Sequence, residues 1–118
     1  MPRTLLVDDS AVVRLTMGRR LRAAGHDVVA CASFAEAVVV DLAGIARALL
    51  DFDLGDGRGV DVAPRLVTAG IPVAFFTSED APEVFDAARV FGPVFKKPDD
   101  VEAALAWATS AIDPSEPG

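Results

Sequence analysis

A single cysteine, Cys31, excludes a disulfide within the chain and fits a reducing compartment. No apolar run approaches the roughly 18 residues that a membrane helix needs. The start, Met1-Pro2-Arg3-Thr4, lacks the charged segment and long apolar stretch of a secretory signal. A cytoplasmic protein without membrane contact is therefore expected. Positive charge is scarce as well: 11 Lys and Arg stand against 18 Asp and Glu, a formal net charge of −7. That balance argues against non-specific binding to nucleic acid or to an anionic membrane surface. No internal repeat is present. What the chain does have is apolar content, 52% of 118 residues, enough for one domain with a real core. The expected domain covers residues 1–112. The last stretch, Asp113-Pro114-Ser115-Glu116-Pro117-Gly118, reads as a disordered tail or the start of a linker.

Along the chain, short apolar runs alternate with helical patterns. Residues 5–7 form an apolar run without alternation, as a strand buried on both faces should. Ser10 can cap the helix that follows, in which Val13, Met17, Leu21 and Ala24 recur at helical spacing before Gly25 ends it. Residues 28–31 form a second strand. Ser33 caps a helix running to about Leu42, and residues 46–50 form the third strand. A glycine-rich loop, 53–59, leads to a helix over 60–69 with Pro64 expected in or near its first turn. Residues 73–76 and 94–96 form the last two strands, separated by a helix over about 81–90. Asp99 or Asp100 starts a final helix carrying Val101, Leu105, Ala108 and Ile112. Five strands alternating with five helices imply right-handed crossovers and a three-layer α/β/α domain around a parallel sheet.

The chemistry lies where the strands end. Asp8-Asp9 follows the first strand, Asp51 the third, Thr77-Ser78 the fourth and Lys97-Pro98 the fifth. In an open parallel sheet the carboxyl ends of the strands form the ligand crevice. Three carboxylates brought together there cannot all stay ionised without a compensating cation. Magnesium suits the oxygen donors and shares its shell readily with phosphate. Asp51, alone at the tip of the central strand, is the best nucleophile. Thr77 offers a hydroxyl and Lys97 a point charge to phosphoryl oxygens, with main-chain N–H groups near Gly55-Asp56-Gly57 and Ser78 as further donors. Each piece alone has an ordinary reading: Asp-Asp-Ser and Thr77-Ser78 as helix caps, the Asp51–Gly57 stretch as a polar turn, and Lys97-Pro98 as a solvated loop. Four such pieces at successive strand ends make a stronger case together.

Those motifs, Val7-Asp8-Asp9-Ser10, Leu50-Asp51-Phe52-Asp53-Leu54, Phe76-Thr77-Ser78 and Lys97-Pro98, resemble the receiver (CheY-like) domain of two-component response regulators over residues 4 to about 112. The resemblance implies a doubly wound five-stranded parallel sheet of order 2-1-3-4-5. It implies that Asp51 takes a phosphoryl group from a phosphohistidine on a sensor kinase or phosphotransfer protein. Magnesium would be held by Asp9, Asp51 and the main-chain carbonyl of Asp53, with Asp8 acting through a bound water. Thr77 would swing toward the phosphoryl oxygen, and Lys97, in a bond to Pro98 that is usually cis in the family, would pair with Asp51. Asp53 and Glu79 occupy positions flanking the route of the hydrolytic water. The sequence departs from the family pattern twice. Val94 stands where the family often has the switch aromatic, leaving Phe91 or Phe95 as substitutes. Gly55 replaces a common proline, which implies a more mobile loop.

Charge gathers on two helices, with Arg14, Arg19, Arg20 and Arg22 on the first and Glu79, Asp80, Glu83 and Asp86 at the fourth. Two solvated faces is the plain reading. The resemblance instead assigns the first helix to the kinase, and the face of the fourth helix, fifth strand and fifth helix to a downstream protein or a second copy. His26 reads as a loop residue, Cys31 as buried packing, and Trp107 as an anchor of the last helix on the sheet. The leading expectation is a phosphoacceptor switch that turns over no separate substrate: a stand-alone receiver, a phosphorelay intermediate or a piece of a longer protein. A phosphatase of the haloacid dehalogenase type, using Asp51-x-Asp53, is the alternative from another class. Its motifs are out of order here, and the chain is short of its usual length. A receiver-like interaction module independent of phosphorylation is the third reading.

Overall fold

The computed structural model describes residues 2–110. Five parallel strands, β1 (Arg3–Val7), β2 (Asp27–Cys31), β3 (Ile45–Leu50), β4 (Val73–Thr77) and β5 (Val94–Lys96), lie in the order β2-β1-β3-β4-β5. The intervening helices are α1 (Ala11–Ala23), α2 (Phe34–Ala37), α3 (Gly59–Thr68), α4 (Pro82–Arg89) and α5 (Val101–Thr109). The expected order and layers are present. Alternation along each strand divides the core in two. Leu5, Val7, Leu50, Val73 and Phe75 face α2, α3 and α4, where Ala37, Val62, Leu66 and Ala88 meet them. Leu6, Leu49, Ala74 and Phe76 face α1 and α5, against Met17, Leu21, Ala104, Leu105 and Ala108. Burial on both faces explains why these strands read as continuous apolar runs. The register pairs Val7 with both Cys31 and Leu50, which sets the tips of β1, β2 and β3 level.

Two expectations about the helices need correction. The Ser33 cap forms as expected, its hydroxyl accepting from the Glu36 N–H, but α2 ends at Ala37 rather than near Leu42. Val38-Val39-Val40 follows, three β-branched residues that lose side-chain freedom in a helix. The Arg65 guanidinium of α3 then stabilises the early stop by donating to the carbonyls of Ala37 (3.0 Å) and Val40 (2.7 Å). In α3, Pro64 lies in the second turn, because the helix begins at Gly59. Pro64 has no N–H to offer the preceding turn. Burial of Val60, Val62, Ala63 and Leu66 on the sheet outweighs that loss. Ile112 and the stretch 113–118 lie outside the described residues.

The loop after β3, expected from its glycines to be more mobile than usual, carries several hydrogen bonds. Leu54 N–H bonds the Gly57 carbonyl, Gly59 N–H bonds the Phe52 carbonyl, and the Asp53 carboxylate accepts from Gly55 N–H. Asp56 reaches across to α2 and accepts from the N–H groups of Phe34 (2.8 Å) and Ala35 (3.0 Å), which hold its carboxyl below the usual range. Glycine at 57 permits close approach, since a Cβ there would overlap the Phe34 ring.

Candidate functional site

Asp51 is set at the tip of the central strand by its own N–H, which bonds the Val7 carbonyl at 2.8 Å. Asp8 is fixed from four directions. Its N–H bonds the Cys31 carbonyl at 3.1 Å and its carbonyl accepts from Arg14 Nη1 at 2.8 Å. One carboxylate oxygen accepts from Ser10 N–H at 2.9 Å and the other from Lys97 Nζ at 2.7 Å. Lys97 Nζ also reaches Asp51 Oδ2 at 3.1 Å and lies 5.5 Å from the centre of the Phe76 ring. Its backbone N–H bonds the Thr77 carbonyl at 2.9 Å, and the Lys97–Pro98 peptide is cis. Asp8, Asp9 and Asp51 each offer an oxygen within 4.8 Å of the others, Asp9 from an exposed position.

The electrostatics are unbalanced in a direction that favours a cation. Burial pushes the Asp51 carboxyl up to about 6; Lys97 pulls the other way and Asp8 adds to the rise. Burial works against the Lys97 ammonium too. The hydrogen bond to Asp8 and the charge of Asp51 outweigh it, so its pKa is raised. One ammonium faces three carboxylates, a deficit that a hard divalent ion fits.

A raised carboxylate has a definite linkage to folding. Asp51 binds its proton more tightly folded than unfolded, so its contribution turns unfavourable as pH rises from about 4 to about 6 and stays so above. The elevation from 3.8 to about 6 sets a ceiling of ~3 kcal/mol. Asp51→Asn in metal-free buffer should therefore stabilise the fold by about 1–2 kcal/mol at pH 7 and by little at pH 4. Urea denaturation at the two pH values measures this, and an equal effect at both would contradict it.

Thr77 is fully buried, and its Oγ1 accepts from Glu79 N–H at 3.1 Å, which leaves the hydroxyl hydrogen free to donate. Thr77 does not cap α4, whose N-cap is Ala81. Ser78 and Asp53 are exposed at the rim and Glu79 is half-buried. Val94, opposite Phe75 on β4, packs with the α3–α4 side of the core, as Phe91 does. Phe95 packs on the other side and cannot replace an aromatic at 94. Cys31 is buried, and His26 lies between α1 and β2 with Nδ1 3.4 Å from Thr4 Oγ1. Trp107 packs against the α1–α5 side of the core.

The arginines of α1 are not equivalent. Arg14 holds the Asp8 backbone, and Arg20 Nη2 donates to both carboxylate oxygens of Glu102 of α5 at 2.8 Å. Sequence reading took Arg14 for a surface charge; its bond to Asp8 spans six residues across a turn and leaves no local signature. On the acidic side, Asp80 pairs with Lys96.

No protein-family model matches the chain, and no curated protein matches it in sequence. Solved structures do. The non-phosphorylated HemR receiver domain from Leptospira biflexa is 25% identical, covering 98% of this chain and 100% of its own, with a TM-score of 0.81. The chemotaxis protein CheY4 of Vibrio cholerae is 22% identical over 91% of this chain and 95% of its own, TM-score 0.78. A CheY-like receiver domain from Methanospirillum hungatei is 19% identical over 92% and 96%, TM-score 0.71. The chain thus has the CheY-like fold of response-regulator receiver domains, with the strand order and layers of that architecture.

Proposed function

We propose that this chain is a phosphoacceptor switch of a two-component or phosphorelay system, working in the cytoplasm. The supporting observation is the pairing of Lys97 with both Asp8 and Asp51 at the tip of the central strand, with Asp9 alongside. An oxygen of Asp51 attacks the phosphorus of a phosphohistidine. The phosphorus–nitrogen bond breaks, the imidazole leaves, and an acyl phosphate remains on Asp51. Asp9, Asp51 and the main-chain carbonyl of Asp53 would hold magnesium, with Asp8 acting through a bound water, and the ion would supply positive charge to offset the incoming phosphoryl oxygens. Lys97 neutralises the same charge from the β5 side, and the free hydroxyl hydrogen of Thr77 donates to a phosphoryl oxygen. Ser78 N–H adds a donor at the rim. Asp53 and Glu79 flank the route of water to the acyl phosphate and tune its lifetime. The new charge shifts a pre-existing equilibrium of the β4–α4 region, with Val94 as the packing contact where relatives use an aromatic ring.

The donor is a sensor histidine kinase or a phosphotransfer protein, and it docks on α1. There Val12 is 70% and Leu15 53% exposed beside the exposed Arg19. The face of α4, β5 and α5 serves a downstream protein or a second copy, and neither nucleic acid nor membrane is a partner. Phosphotransfer from a phosphohistidine-bearing donor tests the assignment. The protein should take one phosphoryl group, and Asp51→Asn should take none. Many turnovers of p-nitrophenyl phosphate would instead indicate a phosphatase. Arg19→Glu should slow transfer from the protein donor several-fold while leaving transfer from a small donor unchanged; equal slowing with both would remove α1 as the docking face.

A further inference from the structure

The end of the sheet opposite the aspartates holds a cavity of about 230 Å³ lined by Pro2, His26, Ala46, Arg47 and the end of α5 at Ala108–Ser110. Arg47 is the unusual member. It lies on β3 opposite Thr4, is only 8% exposed, and its Nε is buried without a hydrogen-bond partner among the described residues. Its guanidinium lies 5.0 Å from the centre of the Trp107 ring, which offers a π-face but no acceptor in the guanidinium plane. A guanidinium N–H taken out of water without an acceptor is costly, so a buried arginine nitrogen is normally matched by a carboxylate, phosphate or carbonyl.

The other lining groups do not supply that acceptor as a charge. Among the described residues no Asp or Glu lines the cavity, although the chain as a whole is strongly acidic. The hydroxyls of Thr109 and Ser110 donate to the carbonyls of Leu105 and Trp107, both at 2.8 Å. His26 uses Nδ1 toward Thr4, which leaves its second ring nitrogen for an occupant. A guanidinium with a buried, unpaired Nε, an imidazole and small apolar walls together describe a receptor for one carboxylate.

We propose that this cavity binds a carboxylate group, with Arg47 as its charge partner and Trp107 as the platform that holds the guanidinium. The carboxylate is that of a free small acid. The site is remote from Asp51, so its test is independent of phosphoacceptor chemistry.

Trp107 is the chain's one tryptophan, and its fluorescence reports directly on the guanidinium beside it. Acetate is titrated into the full chain at constant ionic strength against chloride. A saturable change in the native protein, weakened about tenfold or more in Arg47→Met, assigns a site for free acids. Absence of saturation in the native protein, or an unaltered response in Arg47→Met, overturns the proposal. If Arg47→Met does not fold, Arg47→Lys, which keeps the charge but loses the planar fork, should weaken binding several-fold, and unchanged binding there is equally fatal.

Discussion

Lys97→Met should destabilise the metal-free protein by about 3–5 kcal/mol at pH 7, an effect on the scale of breaking a buried ion pair from one side. The lysine side chain is 15% exposed and its partners Asp8 and Asp51 are 2% and 11% exposed, so neither carboxylate can recover its hydration when the ammonium goes. Methionine keeps most of the stem's packing over Phe76 while removing the charge. The deficit should shrink below about pH 5, because Asp51 already titrates near 6 with the ammonium present and would titrate higher without it. Millimolar magnesium should restore part of the lost stability by standing in for the ammonium. Chemical denaturation with and without magnesium at pH 7 and pH 5 measures all three effects. A deficit independent of pH and magnesium would mean that Lys97 contributes through packing alone.

The second large effect is expected at Gly59. A Cβ there would overlap the Asp51 carbonyl oxygen, which is backbone and cannot move aside cheaply. Gly59 N–H also bonds the Phe52 carbonyl at 2.7 Å, so the start of α3 and the tip of β3 must part together. Gly59→Ala should cost about 2–4 kcal/mol, at the upper end of overpacking penalties, and should impair phosphoryl acceptance even in the fraction that stays folded. Gly92→Ala gives the contrast. Its Cβ would overlap the Val73 carbonyl at the other end of β4, so stability should fall comparably while folded molecules keep their reactivity. Equal reactivity per folded molecule in both variants would show that the β3 tip does not need its present position.

Why the site was readable and parts of the fold were not comes down to the range of the contacts. Asp8, Asp9, Asp51, Thr77 and Lys97 each follow an apolar run directly, and a parallel sheet delivers run ends to one rim whatever lies between. Ser10 and Ser33 work as caps within three residues, and both form their expected bonds. The end of α2 is different. It is fixed by Arg65, which lies 28 residues beyond Ala37, although the Val38-Val39-Val40 run was a local warning. The loop after β3 reads as free by its glycines and is bonded through Asp56, whose partners lie more than 20 residues back on α2. Pro64 misled in the same way, since a helix start at Gly59 depends on the close approach to Asp51 rather than on any capping side chain.

The central claim is that Asp51 accepts a phosphoryl group, and intact mass after incubation with acetyl phosphate and magnesium tests it most directly. The native protein should gain one phosphoryl group, the gain should require magnesium, and Asp51→Asn should gain none. An adduct that persists in Asp51→Asn, or no adduct in the native protein once magnesium binding is established, would contradict the assignment.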